Sequence, residues 1–132
     1  MKTVFSTLPD YMNPTELDTY FNEFIKIYTK SDEILYSLEE LNELAGRQWH
    51  TYEILSDTIK EQIENYIFSI INYDSYEIMD LILVIIPKLG LKNLYRSIIE
   101  KQSNIYNVEV IKLIDEAKNE YGETVANPYS GM

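Results

Sequence analysis

One stretch near the middle of the chain decides the fold: Asp74-Ser75-Tyr76-Glu77-Ile78-Met79-Asp80-Leu81-Ile82-Leu83-Val84-Ile85-Ile86-Pro87-Lys88-Leu89-Gly90. From Ile78 to Leu89 it is apolar on nearly every side, and its β-branched residues would also suit a buried strand. Asp74 with Glu77 three residues later forms a capping-box pattern, and Gly90 is placed to end a helix. We therefore predict a buried central helix that Pro87 kinks or ends.

Three further helices are predicted before this stretch. Asn13 can cap the first, and Gly46 is placed to end the second. The third covers about residues 51–72, unless Ser56 and Asp57 cap a fresh helix there. The apolar residues that recur at helical spacing in these segments are Leu17, Tyr20, Phe21, Phe24, Tyr28, Ile34, Leu38, Leu41, Ala45, Ile59, Ile63, Tyr66, Ile67 and Ile70.

Two more helices are predicted after it. Asn107 caps the last of them and Gly122 stops it. The segments 74–89 and 91–102 resemble one helical hairpin of an α-solenoid, although no repeat occurs at a fixed period. We predict an all-α domain over residues 1–132, built from about six helices in stacked antiparallel hairpins that resemble HEAT units. Residues 1–12 read as a lead-in and 123–132 as a C-terminal tail.

The chain is strongly acidic, and this charge restricts its partners. Asp and Glu supply 22 residues against 11 Lys and Arg, for a formal net charge of −11. Such a charge repels phosphates, so we predict no nucleic-acid partner and no membrane partner. It favours a basic protein partner, although surface charge also serves solubility alone.

The sequence carries no targeting signal that we recognise. Met1 to Pro9 lacks the apolar core of a signal peptide, and the absence of Cys gives no indication of an oxidising compartment. The longest apolar run is far shorter than the roughly 20 residues of a membrane span. We expect a soluble cytoplasmic protein.

The residue types that most catalytic and metal sites need are scarce. The chain has no Cys and a single His, His50, and it has no glycine-rich phosphate loop. Carboxylate pairs such as Asp115 and Glu116 are typical of solvated helix faces. We therefore predict no enzymatic activity, no cofactor and no metal. We expect Trp49 to fill the core and His50 to cap a helix; the alternative is an exposed pair at an interface.

The third predicted helix carries an acidic ridge. Asp57, Glu61 and Glu64 share one face, and Phe68 projects to the acidic side rather than to the core side. Phe68 is either buried by a neighbouring helix, which we expect, or an exposed anchor for a protein partner. The candidate partner-binding residues, which combine acids with aromatic side chains, are Glu39, Glu40, Glu43, Asp57, Glu61, Glu64, Phe68, Tyr73, Asp74, Tyr76 and Glu77.

A resemblance to one family adds to this interpretation. The stretch from Tyr73 to Ile82 is similar to the acidic turn and the Glu and Met entry to the central helix of an all-α family. That family belongs to the immunity proteins of bacterial polymorphic-toxin and contact-dependent growth inhibition systems. The resemblance covers residues 72 to about 99, roughly a quarter of the chain. It implies binding and neutralisation of one cognate toxin, and it transfers no contact residues.

Three hypotheses follow from the acidic surface and the resemblance. The first is an immunity protein that occludes the active site of a basic toxin domain, such as a nuclease. The second is a helical adaptor or scaffold that binds a regulator in a groove of Tyr and Ile side chains. The third is an acidic DNA mimic that inhibits a DNA-binding enzyme.

Overall fold

The computed structural model describes residues 5–9, 11–51 and 53–121, and every regular element in these ranges is helical. Predicted features in the tail 123–132, and the predicted stop at Gly122, lie outside the described residues. The six α-helices are α1 (Pro14–Ile27), α2 (Ile34–Trp49), α3 (Asp57–Ile70), α4 (Tyr76–Leu89), α5 (Lys92–Lys101) and α6 (Val108–Tyr121), and three-residue 3₁₀ turns occur at Phe5–Thr7, Tyr28–Lys30 and Gln102–Asn104. The predicted all-α class is confirmed.

The central position predicted for the fourth helix follows from its apolar surface. α4 packs most extensively against α2 and next against α6. Its buried residues recur at helical spacing on one broad face: Met79, Ile82, Leu83, Ile85, Ile86 and Leu89. It continues through Pro87 to Leu89, so the proline does not end it. Gly90 then adopts a left-handed conformation with φ of 70°, and its N–H donates to the carbonyl of Ile86 at 2.9 Å. Glycine adopts this conformation without a Cβ clash, which explains why the helix ends there.

Side-chain caps fix where several helices begin. Asn13 accepts from the N–H of Glu16 at 2.8 Å, as predicted. The Ser56 hydroxyl accepts from the N–H of Ile59 at 3.4 Å, and the third helix begins at Asp57. The predicted alternative of a helix capped at Ser56 is therefore confirmed, and the start near residue 51 is wrong. α4 is capped by Ser75, whose hydroxyl accepts from Ile78 at 3.3 Å, and not by the predicted Asp74.

The end of α2 also differs from the prediction. Gly46 lies inside the helix, which runs on to Trp49, and His50 is the residue that caps it. A Cβ at Gly46 would meet nothing within 4 Å, so this position places no steric demand for glycine. Trp49 is half-buried and lies outside the core cluster, so its predicted role as a core plug is wrong.

The buried apolar residues form a single cluster to which all six α-helices contribute. On the α1 side its centre is aromatic: Phe24 stacks on Tyr28 with ring centroids 5.3 Å apart, and it meets the edge of Tyr66 at 5.6 Å. Phe5 from the predicted lead-in is also fully buried and packs against Tyr28. The lead-in is therefore part of the core around Phe5. Within the described ranges, no helix has both the length and the apolar character needed to cross a membrane.

Candidate partner-binding surfaces

A cleft of about 620 Å³ lies between α3 and the loop that joins α4 to α5. Helical spacing places Asp57, Glu61 and Phe68 along one side of α3, and Gly90 ends α4 on the opposite side. We call this the α3 cleft; its lining includes Ile54, Asp57, Lys60, Glu61, Glu64, Phe68, Gly90, Lys92 and Asn93. It brings together four of the residues predicted to bind a partner. Its lining is mainly charged and polar, unlike the mostly apolar lining of small-molecule pockets.

Phe68 and Ile54 give this cleft its apolar contact area. Phe68 is 42% exposed, so the expected burial by a neighbouring helix is wrong. Ile54, which sequence reasoning missed, is 48% exposed in the loop before α3. Large exposed apolar side chains beside carboxylates are typical of protein-binding surfaces.

The cleft is less acidic than the predicted ridge. Glu64 is only 6% exposed, and its carboxylate accepts from the N–H of Leu94 at 2.8 Å. Lys60 and Lys92 also line the cleft, and burial lowers the pKa of Lys60 below its usual value. The exposed acids that remain are Asp57 and Glu61. A partner would therefore meet both signs of charge, with the acids on one side of α3.

The acids predicted on α2 have three different environments. Glu39 is exposed, as an outer-face residue should be. Glu40 is 5% exposed, and its carboxylate accepts from the N–H of Phe5 at 2.7 Å, so its placement on an outer acidic face is wrong. Glu43 is partly exposed and forms an ion pair with Arg47 at 2.9 Å. Of the three, Glu39 and part of Glu43 remain accessible to a partner.

A second surface forms where α4 and α6 begin. The side-chain amide of Asn107 donates to the carbonyl of Asp74 at 3.1 Å and joins the two turns that precede these helices. Tyr76 is 45% exposed, Tyr106 92% and Val108 60%. We call the surface made by Tyr73, Tyr76, Tyr106 and Val108 the tyrosine end. The predicted residues Tyr73, Asp74, Tyr76 and Glu77 all belong to it or border it.

Tyr73 is the least exposed member of the tyrosine end. Burial raises the pKa of its hydroxyl, although a hydrogen bond with Ser97 opposes that shift. The ammonium of Lys101 lies 5.7 Å from the centre of its ring, at a distance that permits a cation–π interaction. These contacts hold Tyr73 against α5, and they leave Tyr76 as the more accessible of the two predicted tyrosines.

Sequence reasoning missed Tyr106 and Val108. Both flank Asn107, which was predicted only as a cap and does accept from the N–H of Val110 at 3.2 Å. Their position was a usable signal of exposure. Residues that flank an N-cap lie at the start of a helix, where they are exposed unless another element covers them. No local pattern indicated that they lie near the turn before α4, because the hydrogen bond that joins the two turns, from Asn107 to Asp74, spans 33 residues of sequence.

His50 and Trp49 lie outside the α3 cleft and the tyrosine end. The imidazole of His50 stacks on Tyr11, with ring centroids 5.0 Å apart. Among the residues that the structure describes, no group of three or more His, Cys, Asp or Glu side chains could hold a metal ion. The described surfaces therefore offer aromatic rings, carboxylates and ammonium groups for noncovalent contact.

Comparison with known proteins adds no relative to this description. No protein-family model, no curated protein and no solved structure matches the chain significantly.

Proposed function

We propose that the chain is a cytoplasmic immunity protein that binds and neutralises a basic toxin domain through the α3 cleft. The observation that carries the proposal is the exposure of Phe68 next to the exposed acids of the same helix face. The net charge of −11 supports a cationic partner, and the resemblance around residues 73–82 supports this class of function.

In the proposed mechanism, charge sets the rate of association and apolar contact sets the rate of dissociation. Asp57 and Glu61 lie one helical turn apart, so a cationic groove built for nucleic acid would meet two carboxylates on one face. Long-range attraction would speed encounter, and it weakens with salt. Burial of Phe68 and Ile54 against the toxin would slow dissociation, because apolar anchors act mainly on the off-rate. The bound protein would cover the toxin's active site.

The test uses the full chain and the toxin domain encoded next to its gene. Isothermal titration should give tight binding, and co-expression should protect cells from that toxin. Replacement of Phe68 by Ser should weaken binding by about tenfold or more, as expected for an interface anchor. Lysine at both Asp57 and Glu61 should slow association, whereas the matched double change Glu116→Lys and Glu120→Lys, at exposed acids of α6, should have a smaller effect. Absence of binding together with absence of protection would overturn the proposal.

A second candidate is an adaptor that binds an extended regulator segment in the same cleft. It is favoured by Lys60 and Lys92, because two ammonium groups reduce the acid excess of the lining. Ionic strength separates the candidates. The on-rate of a basic toxin should fall as salt rises, whereas the binding of a mainly apolar segment should change little.

A further inference from the structure

We propose that the tyrosine end is a second docking surface, and that its partner is a lysine- and arginine-rich segment of another protein. Tyr76, Tyr106 and Val108 are three of the seven exposed large apolar side chains in the described part of the chain, and they lie on or beside the two turns that the Asn107–Asp74 hydrogen bond joins. This surface is separate from the α3 cleft, so it does not rest on the function proposed for that cleft.

Hydrogen bonds fix the two turns that carry the tyrosine end. Asn107 accepts from the N–H of Val110 and donates to the carbonyl of Asp74, so one side chain fixes both turns. Ser75 caps α4 immediately before Tyr76. Because the two turns are already joined, binding would require ordering of side chains but no rearrangement of the turns, which lowers its entropic cost.

The charges that border the tyrosine end favour a cationic partner. Asp74, Glu77 and Glu109 are all exposed, and each lies within two residues in sequence of Tyr76 or Val108. Two cations lie nearby: Lys112 is 3.9 Å from the Glu109 carboxylate and offsets its charge, and Lys101 lies over the ring of Tyr73. The attraction for a cationic partner therefore comes mainly from Asp74 and Glu77. Arginine and lysine side chains of a partner would form ion pairs with the carboxylates and cation–π contacts with the exposed rings of Tyr76 and Tyr106.

The same charges disfavour a second copy of this chain as the occupant. In a symmetric dimer the three acids of one copy would face the equivalent acids of the other. Each copy carries a net charge of −11, so electrostatic repulsion would oppose this contact and offset the free energy gained from apolar burial. A nucleic acid or an anionic lipid surface would be repelled for the same reason.

The test titrates the isotope-labelled full chain with a capped pentapeptide, lysine-arginine-tryptophan-lysine-arginine, and follows backbone amide shifts by NMR. The shifts should concentrate in residues 73–77 and 105–110. The combined variant Tyr76→Ser and Tyr106→Ser should bind about tenfold or more weakly, as expected for the loss of anchor contacts. Leu35→Ser, at an exposed apolar residue outside both surfaces, should leave the affinity unchanged. Shifts confined to residues 73–77 and 105–110, and not found in the α3 cleft, separate this proposal from the first.

Two control peptides separate specific docking from general attraction. Glycine in place of the tryptophan should weaken binding, and a glutamate- and aspartate-flanked tryptophan should not bind. The conservative change Tyr106→Phe should retain affinity. Shifts spread over all acidic faces, an affinity that the tyrosine substitutions do not change, or no binding at millimolar peptide would overturn the proposal. Dimerisation that Tyr106→Ser abolishes would also overturn it, because the occupant would then be a second copy.

Discussion

The carboxylate of Glu64 accepts a hydrogen bond from the backbone N–H of Leu94 at 2.8 Å and so joins the middle of α3 to the first turn of α5. Its second oxygen accepts from the side chain of Asn93 at 3.4 Å. α5 has no cap from the side chain of Leu91, which precedes it. Glu64 therefore supplies from another helix the acceptor that a local cap would normally provide, and its negative charge suits the helix N-terminus.

Replacement of Glu64 by Ala should destabilise the protein by about 2 kcal/mol, because a hydrogen bond to a buried charged group is lost and a backbone donor is left unpaired. Glu61→Ala, one turn earlier and exposed, is the matched control and should change stability by less than about 0.5 kcal/mol. Urea unfolding followed by circular dichroism measures both. Equal effects of the two substitutions would contradict the capping role.

Glu40 and Arg47 of α2 together should hold the N-terminal segment in place. Glu40 accepts from the N–H of Phe5 at 2.7 Å, and the Arg47 guanidinium donates to the carbonyls of Leu8 and Pro9 at 2.9 and 3.1 Å. We expect Glu40→Ala to speed hydrogen exchange at the Phe5 amide and to cost about 1–3 kcal/mol.

Glu39→Ala is the control for this change, because Glu39 is the exposed neighbour of Glu40 on the same helix. It should leave both exchange and stability nearly unchanged. If Phe5 remained protected in Glu40→Ala, other contacts would be sufficient to hold the segment.

The N-cap of α4 offers a test in which two adjacent residues should behave differently. Ser75 accepts from the N–H of Ile78, whereas the Asp74 residue accepts from Asn107 through its backbone carbonyl. Ser75→Ala should therefore cost about 1 kcal/mol in the free energy of unfolding, and Asp74→Ala should cost much less. Thermal unfolding of the two variants compares them directly. A larger loss for Asp74→Ala would mean that its carboxylate caps the helix in solution.

Helical periodicity and local caps could be predicted from the sequence because they depend on neighbouring residues. The caps at Asn13 and Asn107 and the apolar central helix are of this kind, and all three agree with the structure. Gly46 misled the prediction because a helix tolerates an interior glycine at a cost of about 1 kcal/mol when packing on both sides continues. Buried residues follow Gly46 directly in α2.

Acid placement was harder to predict, because a carboxylate that anchors another segment has the same local pattern as a solvated one. Glu39 and Glu40 are adjacent, and only Glu40 meets the N–H of Phe5, which lies 35 residues earlier in sequence. The partner of Glu64 lies 30 residues later. The same limit applies to the tyrosine end, where one tertiary hydrogen bond joins two turns. Such contacts depend on how helices are arranged, which periodicity alone does not specify.

Alkaline pH should destabilise the protein through its buried tyrosines. Burial raises the pKa of Tyr28 well above its usual value, and a hydrogen bond with Tyr36 adds to the shift. Burial likewise raises the pKa values of Tyr66 and Tyr95. Since tyrosines titrate near about pH 10 in an unfolded chain, the unfolded state loses these protons first. Their contribution to stability is complete below about pH 10 and is lost as pH rises through the folded-state values.

Two lysines act with the opposite sign. Burial lowers the pKa of Lys60 and of Lys88, so the unfolded state binds more protons at these positions as pH approaches about 10.5. Their contribution raises stability over that interval and offsets part of the loss from the tyrosines. We expect the tyrosine contribution to prevail above about pH 10.5, where the lysines are neutral in both states and the raised tyrosines still bind protons only in the folded state.

Tyr28→Phe provides the specific test, because it removes an ionisable hydroxyl while keeping the ring that stacks on Phe24. The decrease in the free energy of unfolding between pH 9 and 11 should be smaller in this variant than in the unmodified chain. Tyr106→Phe is the control, since that ring is 92% exposed and contributes no buried hydroxyl. Urea unfolding at each pH gives the free energies, and absorbance at 295 nm reports tyrosine ionisation. If both variants followed the unmodified chain, burial of Tyr28 would not be the cause of the alkaline loss.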